Sequence, residues 1–392
     1  MFDVISTSYK GCNMHKPLLA GCFALAGFLL LPPAQAQLDC VIDRPVFSKN
    51  IQLPGTGFTV GSDLPVGAVL YTGYISKISD PGGSSAMTCR YNKGEAFVFE
   101  NYSLLKGGGG DTGNGIYATS LPGVGVRVKN YVNGDINTPL TKNRTVLLAS
   151  ENYPNTFCDK NSTSCNMTSN AGFHFELVKT GEIGAGQING GSFPQISIIA
   201  YSPTPGAKVD RGEIATVTFS GSLNVKAASC RTPGDYEVYL GDYTTRDISS
   251  KKFTPWVDAS IQLTGCPRFT GMPGGNDTTW LYPDSQPATV GRTQANLLEV
   301  TLTPLTTVHN ASEGTFEIES GPGSARGVDI QLRKGTREDN SQLILNQPYS
   351  IYLANDGRPT LTVPLVARYL SNGDSLSPGR ATGKVTYLIN YK

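Results

Sequence analysis

The chain has 392 residues, enough for about two or three domains. Charged residues make up 16% and the formal net charge is +1, so no basic footprint marks the chain for nucleic acid. Hydrophobic residues at 39% suffice for real cores, and only 3 histidines leave little for histidine-built metal sites or His-dependent triads.

In chain order, Lys16 precedes an apolar run from Leu18 to Leu31, which Pro32 and Pro33 end. Ala34-Gln35-Ala36 then has the small-x-small pattern of a signal peptidase site. Residues 1–36 read as a secretory signal cleaved before Gln37. The run is shorter than the roughly 20 residues of a membrane span. Export makes the remaining cysteines disulfide partners: Cys40, Cys89, Cys158, Cys165, Cys230 and Cys266. About 15 pairings of six cysteines are possible. The sequential one, 40–89, 158–165 and 230–266, is simplest, because each loop stays inside one candidate domain. No Cys-x-x-Cys spacing favours zinc.

Helical periodicity is almost absent, and alternation recurs instead. Val124, Val126 and Val128 share one face, as do Phe173, Phe175 and Leu177. Turn signals separate such runs, among them Asp80-Pro81-Gly82-Gly83 and Asn189-Gly190. The class is all-β, with two β-sandwich domains. Tyr201 to Gly206, with two prolines and a glycine, reads as a linker between residues 37–205 and 206–392. The first piece, with two of the disulfides, is expected to fold alone.

Two motifs fail on inspection. Gly107 to Gly115 is glycine-rich, but no Lys-Ser/Thr and no helix follow it, so it is a turn and not a phosphate loop. Asp159-x-Asn161-x-Thr163 opens like a calcium loop, but the twelfth position is Asn170 and no mid-loop glycine is present. No cofactor or metal is expected.

The second half carries an ordered set of segments. An alternating strand from Gly212 to Cys230 has Gly221 at its middle. Asp235 to Gly241, Gly327 to Leu332 and Val363 to Tyr369 follow, and Gly379 to Lys392 closes the series with Tyr391 penultimate. Together these resemble the pilin domain of chaperone–usher fimbrial subunits. Val385, Tyr387, Ile389 and Tyr391 share one face of the last strand, and an uncovered edge there is an aggregation hazard. The resemblance implies an incomplete immunoglobulin-like fold. A periplasmic chaperone would fill its groove, an outer-membrane usher would receive it, and an adjacent pilin subunit would donate its N-terminal strand. It also implies that Gly379 and the final strand border this interface, with the carboxylate of Lys392 held by the chaperone.

The first half lacks the donor extension of an ordinary pilin, since Cys40 follows the signal at once. Val41 to Tyr71 and Gly115 to Val128 resemble the opening of two-domain tip adhesins of type 1-like pili. That resemblance implies a lectin-like sandwich in front, at the fimbrium tip on the cell surface. Carried over by position, its binding residues would be Gln37, Arg90, Tyr91 and Asn92, then Glu151, Asn152 and Tyr153, with Asp159 and Asn161 on an enlarged loop. Tyr91-Asn92 stands where the mannose-binding relatives have Asn-Asp, which argues against mannose. Asn, Asp and Tyr on rigid loops suit sugar hydroxyls by offering donors, acceptors and a flat face. The expected function is adhesion, to a host glycan or alternatively to a matrix protein such as collagen. An exported glycan-active enzyme is the rival from another class, and nothing in the sequence places two carboxylates together.

Overall fold

The computed structural model describes residues 38–392 apart from 43–44, 79–86, 133–134, 156–157, 168–170, 206, 210, 274–278 and 284–286. The expected signal and Gln37 therefore lie outside the described residues. The all-β class is what the structure has, with strands gathered around two apolar cores.

The first core lies between two sheets. Strands β1 (Phe47–Gly61), β2 (Val69–Ile78), β3 (Met87–Arg90), β4 (Phe97–Lys106) and β5 (Val124–Val132) come first in the chain. They are followed by β6 (Val146–Tyr153), β7 (Ser164–Met167), β8 (Ala171–Lys179), β9 (Gln195–Tyr201) and β10 (Gly212–Ala228). One sheet runs β6-β4-β9-β10, with β1 parallel on the other edge of β10. The second sheet has β8 between β2 and β5. Alternation decides the faces: Val124, Val126, Val128, Phe173, Phe175 and Leu177 all point into the core. Rings of Phe58, Tyr71, Phe175, Phe193 and Phe219 form a chain of contacts through it. At Gly221 of β10, φ is +70° and a Cβ would lie 2.7 Å from the Leu53 carbonyl oxygen. Only glycine tolerates this, and the register with β1 shifts just beyond it, between Ser222 and Asn224.

The second core collects under β12 (Leu297–Pro304), β13 (Val328–Gly335), β14 (Leu365–Ser371) and β15 (Val385–Tyr391), after a short β11 (Thr279–Leu281). β13 pairs with β14, and β15 pairs with β12.

The linker interrupts the chain but not the sheet. The sequence assigns the Gly212–Cys230 strand to the second domain, yet Ile214, Val217, Phe219, Leu223 and Val225 of β10 are buried in the first core. Ala228, at its end, belongs to the second core. β11 likewise pairs in parallel with β2, and Leu281 joins the first core. Alternation tells which side chains face inward but carries no information about which sheet the strand joins. Part of the first core therefore lies beyond residue 205, on segments that the sequence assigns to the second half.

All three sequential disulfides are present, with Cα separations of 4.0 Å for Cys40–Cys89, 5.7 Å for Cys158–Cys165 and 4.2 Å for Cys230–Cys266.

Candidate functional site

Three segments named from the sequence meet at one end of the first core. β7 pairs with β3, so Ser164 lies opposite Arg90 and Cys165 opposite Cys89. β6 pairs with β4, so Glu151, Asn152 and Tyr153 lie opposite Phe99, Val98 and Phe97. Two backbone bonds tie the disulfide loop to the turn after β3: the Tyr91 amide donates to Thr163 and the Gly94 amide to Lys160, each at 3.0 Å. The two disulfides thus stand side by side on the paired strands and hold the loops that carry the polar residues.

Under this rim lies an aromatic floor. Phe97 stacks on Tyr153 at 5.0 Å and touches Tyr91 at 4.8 Å. Tyr91 and Tyr153 are buried, whereas Arg90, Asn92, Glu151, Asn152, Asp159 and Asn161 are exposed. The two tyrosines therefore belong to the foundation and do not offer open flat faces. Burial raises both phenols; the Asp159 charge adds to the rise at Tyr91, and a 2.7 Å hydrogen bond to Glu151 adds to it at Tyr153. The Tyr91 hydroxyl is buried without a hydrogen-bond partner.

Local turns orient the rim. Asp159 accepts from the Asn161 amide at 3.1 Å, and its carbonyl accepts from Ser162. Glu95 accepts from the Asn92 amide at 3.1 Å. Asp159 and Asn161 satisfy each other in this way, which is what a structural turn requires and what a cation site would have to break.

The second predicted interface lies on β15. It pairs on one side with β12, and no other strand pairs with it among the described residues. Val385, Tyr387 and Ile389 lean half-buried against the second core, and Tyr391 is buried and stacked on Phe269. The Tyr387 hydroxyl donates to the Pro233 carbonyl at 2.6 Å. Lys392 exchanges two backbone hydrogen bonds with Leu297 and pairs with Glu299 at 2.5 Å. Gly379 lies apart from this strand, where a Cβ would sit 2.4 Å from the Ala325 nitrogen.

The sequence did not reveal where the end of β15 docks. The Tyr391 amide donates to Asp63 Oδ2 at 2.9 Å, and the Asp63 amide donates to the Tyr391 carbonyl at 3.2 Å. Gly61 permits the approach, since a Cβ there would lie 2.0 Å from that carbonyl oxygen. Asp63 lies more than three hundred residues away in the chain, and no local pattern marks such a partner. A cavity of about 430 Å³ opens nearby, between Phe269 and Tyr352, and none of the predicted site residues lines it. Among the described residues, no group of His, Cys, Asp or Glu is placed to hold a metal ion, and no helix is long and apolar enough to cross a membrane.

Comparison with known proteins divides the chain at nearly the same place as the linker. A family model described as MrkD-like receptor binding domain matches residues 56–203, and one described as Fimbrial protein matches residues 217–392. Among solved structures, the chain is similar to the CupB6 tip adhesin from Pseudomonas aeruginosa. The identity is 13%, covering 91% of this chain and 94% of that one, with a TM-score of 0.32. The receptor binding domain of the plasmid-born adhesin MrkD1P of Klebsiella pneumoniae matches at 16% identity, over 50% of this chain and 98% of that one, with a TM-score of 0.25. A CsuC-CsuE chaperone–tip adhesion subunit pre-assembly complex from Acinetobacter baumannii matches at 12% identity, over 90% and 99%, with a TM-score of 0.24. No curated protein matches the chain.

Proposed function

For this chain, which belongs to the two-domain tip adhesins of chaperone–usher fimbriae, we propose that residues 37–205 bind a host-surface glycan and residues 206–392 join it to the fimbrium. The observation that carries the binding reading is the convergence of Arg90, Asn92, Glu151, Asn152, Asp159 and Asn161 on one disulfide-braced end. Their exposed carboxylates and amides sit on paired strands and tight turns, so they are held in place before a ligand arrives. Fixed donors and acceptors of this kind recognise hydroxyl patterns at low ordering cost.

The assembly reading rests on β15. A strand that pairs, among the described residues, with β12 alone, and whose alternating apolar residues are half-covered, supports a pilin domain completed by a strand from another chain. In that role a periplasmic chaperone covers the edge first, the usher passes the subunit on, and a neighbouring pilin supplies the final strand. The protein then travels through the periplasm to the tip of the fimbrium.

The test of binding uses the full chain, purified with its chaperone, on an array of glycans and matrix proteins. Glycan binding is expected, and replacing Glu151, Asn152 and Asp159 by alanine should weaken it by about tenfold or more. Binding confined to a matrix protein, or glycan binding that the triple substitution leaves intact, sinks the reading.

A further inference from the structure

The outward face of the β2-β8-β5 sheet carries a cluster that the adhesive end does not use. Tyr74 lies 5.1 Å from Trp280 in a stacked arrangement and 5.1 Å from Tyr131 edge-on. Trp280 and Tyr131 are themselves 6.3 Å apart, and all three rings are half-buried. Trp280 comes from β11, so the cluster is complete only because the second half of the chain adds a strand to this sheet.

Beside the rings lies an ion network. Glu176 accepts from Arg127 Nε at 2.7 Å and also from Arg127 Nη2, and its other oxygen accepts from Lys129 Nζ at 2.7 Å. Two cations share one carboxylate, and both have more N–H groups than that carboxylate takes up. His174 adds no charge of its own at neutral pH, because burial lowers its pKa to about 4. Its ring packs 4.6 Å from Tyr74, and the Nδ1 atom is buried without a hydrogen-bond partner, 3.8 Å from Glu176 Oε1. An unmatched buried nitrogen is costly and unusual. Tyr74, the ring that packs on His174, is itself half-buried.

We propose that this face is a second binding site, for an acidic saccharide: a pyranose carrying one carboxylate. The apolar C–H face of the sugar stacks on Trp280 and Tyr131, as aromatic side chains favour. The carboxylate takes the spare ammonium donors of Lys129, supplying the negative charge that the network lacks. A neutral sugar would gain the stacking and forgo the ion pair, so preference for the acid follows from the charge count.

The experiment is calorimetric titration of the full chain, purified with its chaperone, with glucuronate and N-acetylneuraminate as probes and glucose and acetate as controls. At least one acidic sugar should bind saturably, with glucose and acetate weaker by about tenfold or more. Lys129→Gln keeps the Arg127–Glu176 pair and should lower the affinity by about tenfold, while Trp280→Leu should abolish binding. Glu338→Ala, on an exposed bend that neither proposed site uses, should leave it unchanged. Thermal midpoints of all variants establish that they are folded. Saturable binding of neither acidic sugar, equal binding of glucose, or binding that a folded Lys129→Gln retains in full would overturn the proposal.

Discussion

His174 stands on the polar face of an alternating strand, yet it is only 3% exposed, because Tyr74 covers it. Burial lowers its pKa from 6.5 to about 4, so the folded protein resists a proton that the unfolded chain accepts. Between those two values the unfolded state binds more protons, and stability must fall as pH falls. The effect is absent above about pH 6.5 and reaches about 3 kcal/mol once the pH is below both values. Glu176 acts lower on the scale. Burial pushes its carboxyl up, but Lys129 and Arg127 outweigh this and hold it below the usual value of 4.5. Its contribution is therefore full above 4.5 and is lost as pH falls through the lowered value. Urea unfolding across this range should show the His174 slope, and His174→Gln should remove it between pH 6.5 and 4. A variant with the same slope as the parent would assign the proton to another group. The sequence placed His174 on its strand and on its polar face, but the cover that buries it comes from neighbouring strands.

β15 shows what an element can and cannot announce. Its alternation was legible, and Val385, Tyr387, Ile389 and Tyr391 do lie against the second core. Among the described residues it pairs with β12 alone. If the open side receives a donor strand, four or five alternating apolar side chains would add roughly 8–12 kcal/mol of burial. A donor peptide from a partner pilin, fused after Lys392 through a short linker, should therefore raise the thermal midpoint of the full chain substantially. An unchanged midpoint would mean that the edge accepts no strand. Tyr387 already reaches across to Pro233, so the peptide must lie beside or displace that 2.6 Å contact.

At the scale of the whole molecule the two halves share structure. A fragment of residues 37–205 would lack β10 and β11, and with them Ile214, Val217, Phe219, Leu223, Val225 and Leu281 of the first core. Each such side chain is worth about 1.5–3 kcal/mol when buried, against a total stability of only about 5–15 kcal/mol for a domain. The fragment is expected to aggregate or to melt without cooperativity, and extension to residue 228 should restore part of the transition. Calorimetry of the two fragments checks this. A sharp, reversible melt of 37–205 alone would show that the first sandwich does not need β10. Asp63 and Tyr391 make a second link between the halves: the Tyr391 amide donates to the Asp63 carboxylate, and the Asp63 amide donates to the Tyr391 carbonyl.

The sequence by itself determined the all-β class, the inward faces of the strands and the disulfide-rich organisation. These depend on local alternation, turn residues and cysteine count, which are properties of neighbouring positions. It also picked out the segments that meet at the adhesive end, though it took Tyr91 and Tyr153 for surface residues when they form the buried floor. Only the tertiary structure decided that β10 serves the first sheet, that β11 brings Trp280 to Tyr74, and that Asp63 meets Tyr391. Strand pairing between distant segments is set by which edges and apolar faces remain to be covered once the rest of the chain has folded. Nothing within a single strand records that competition.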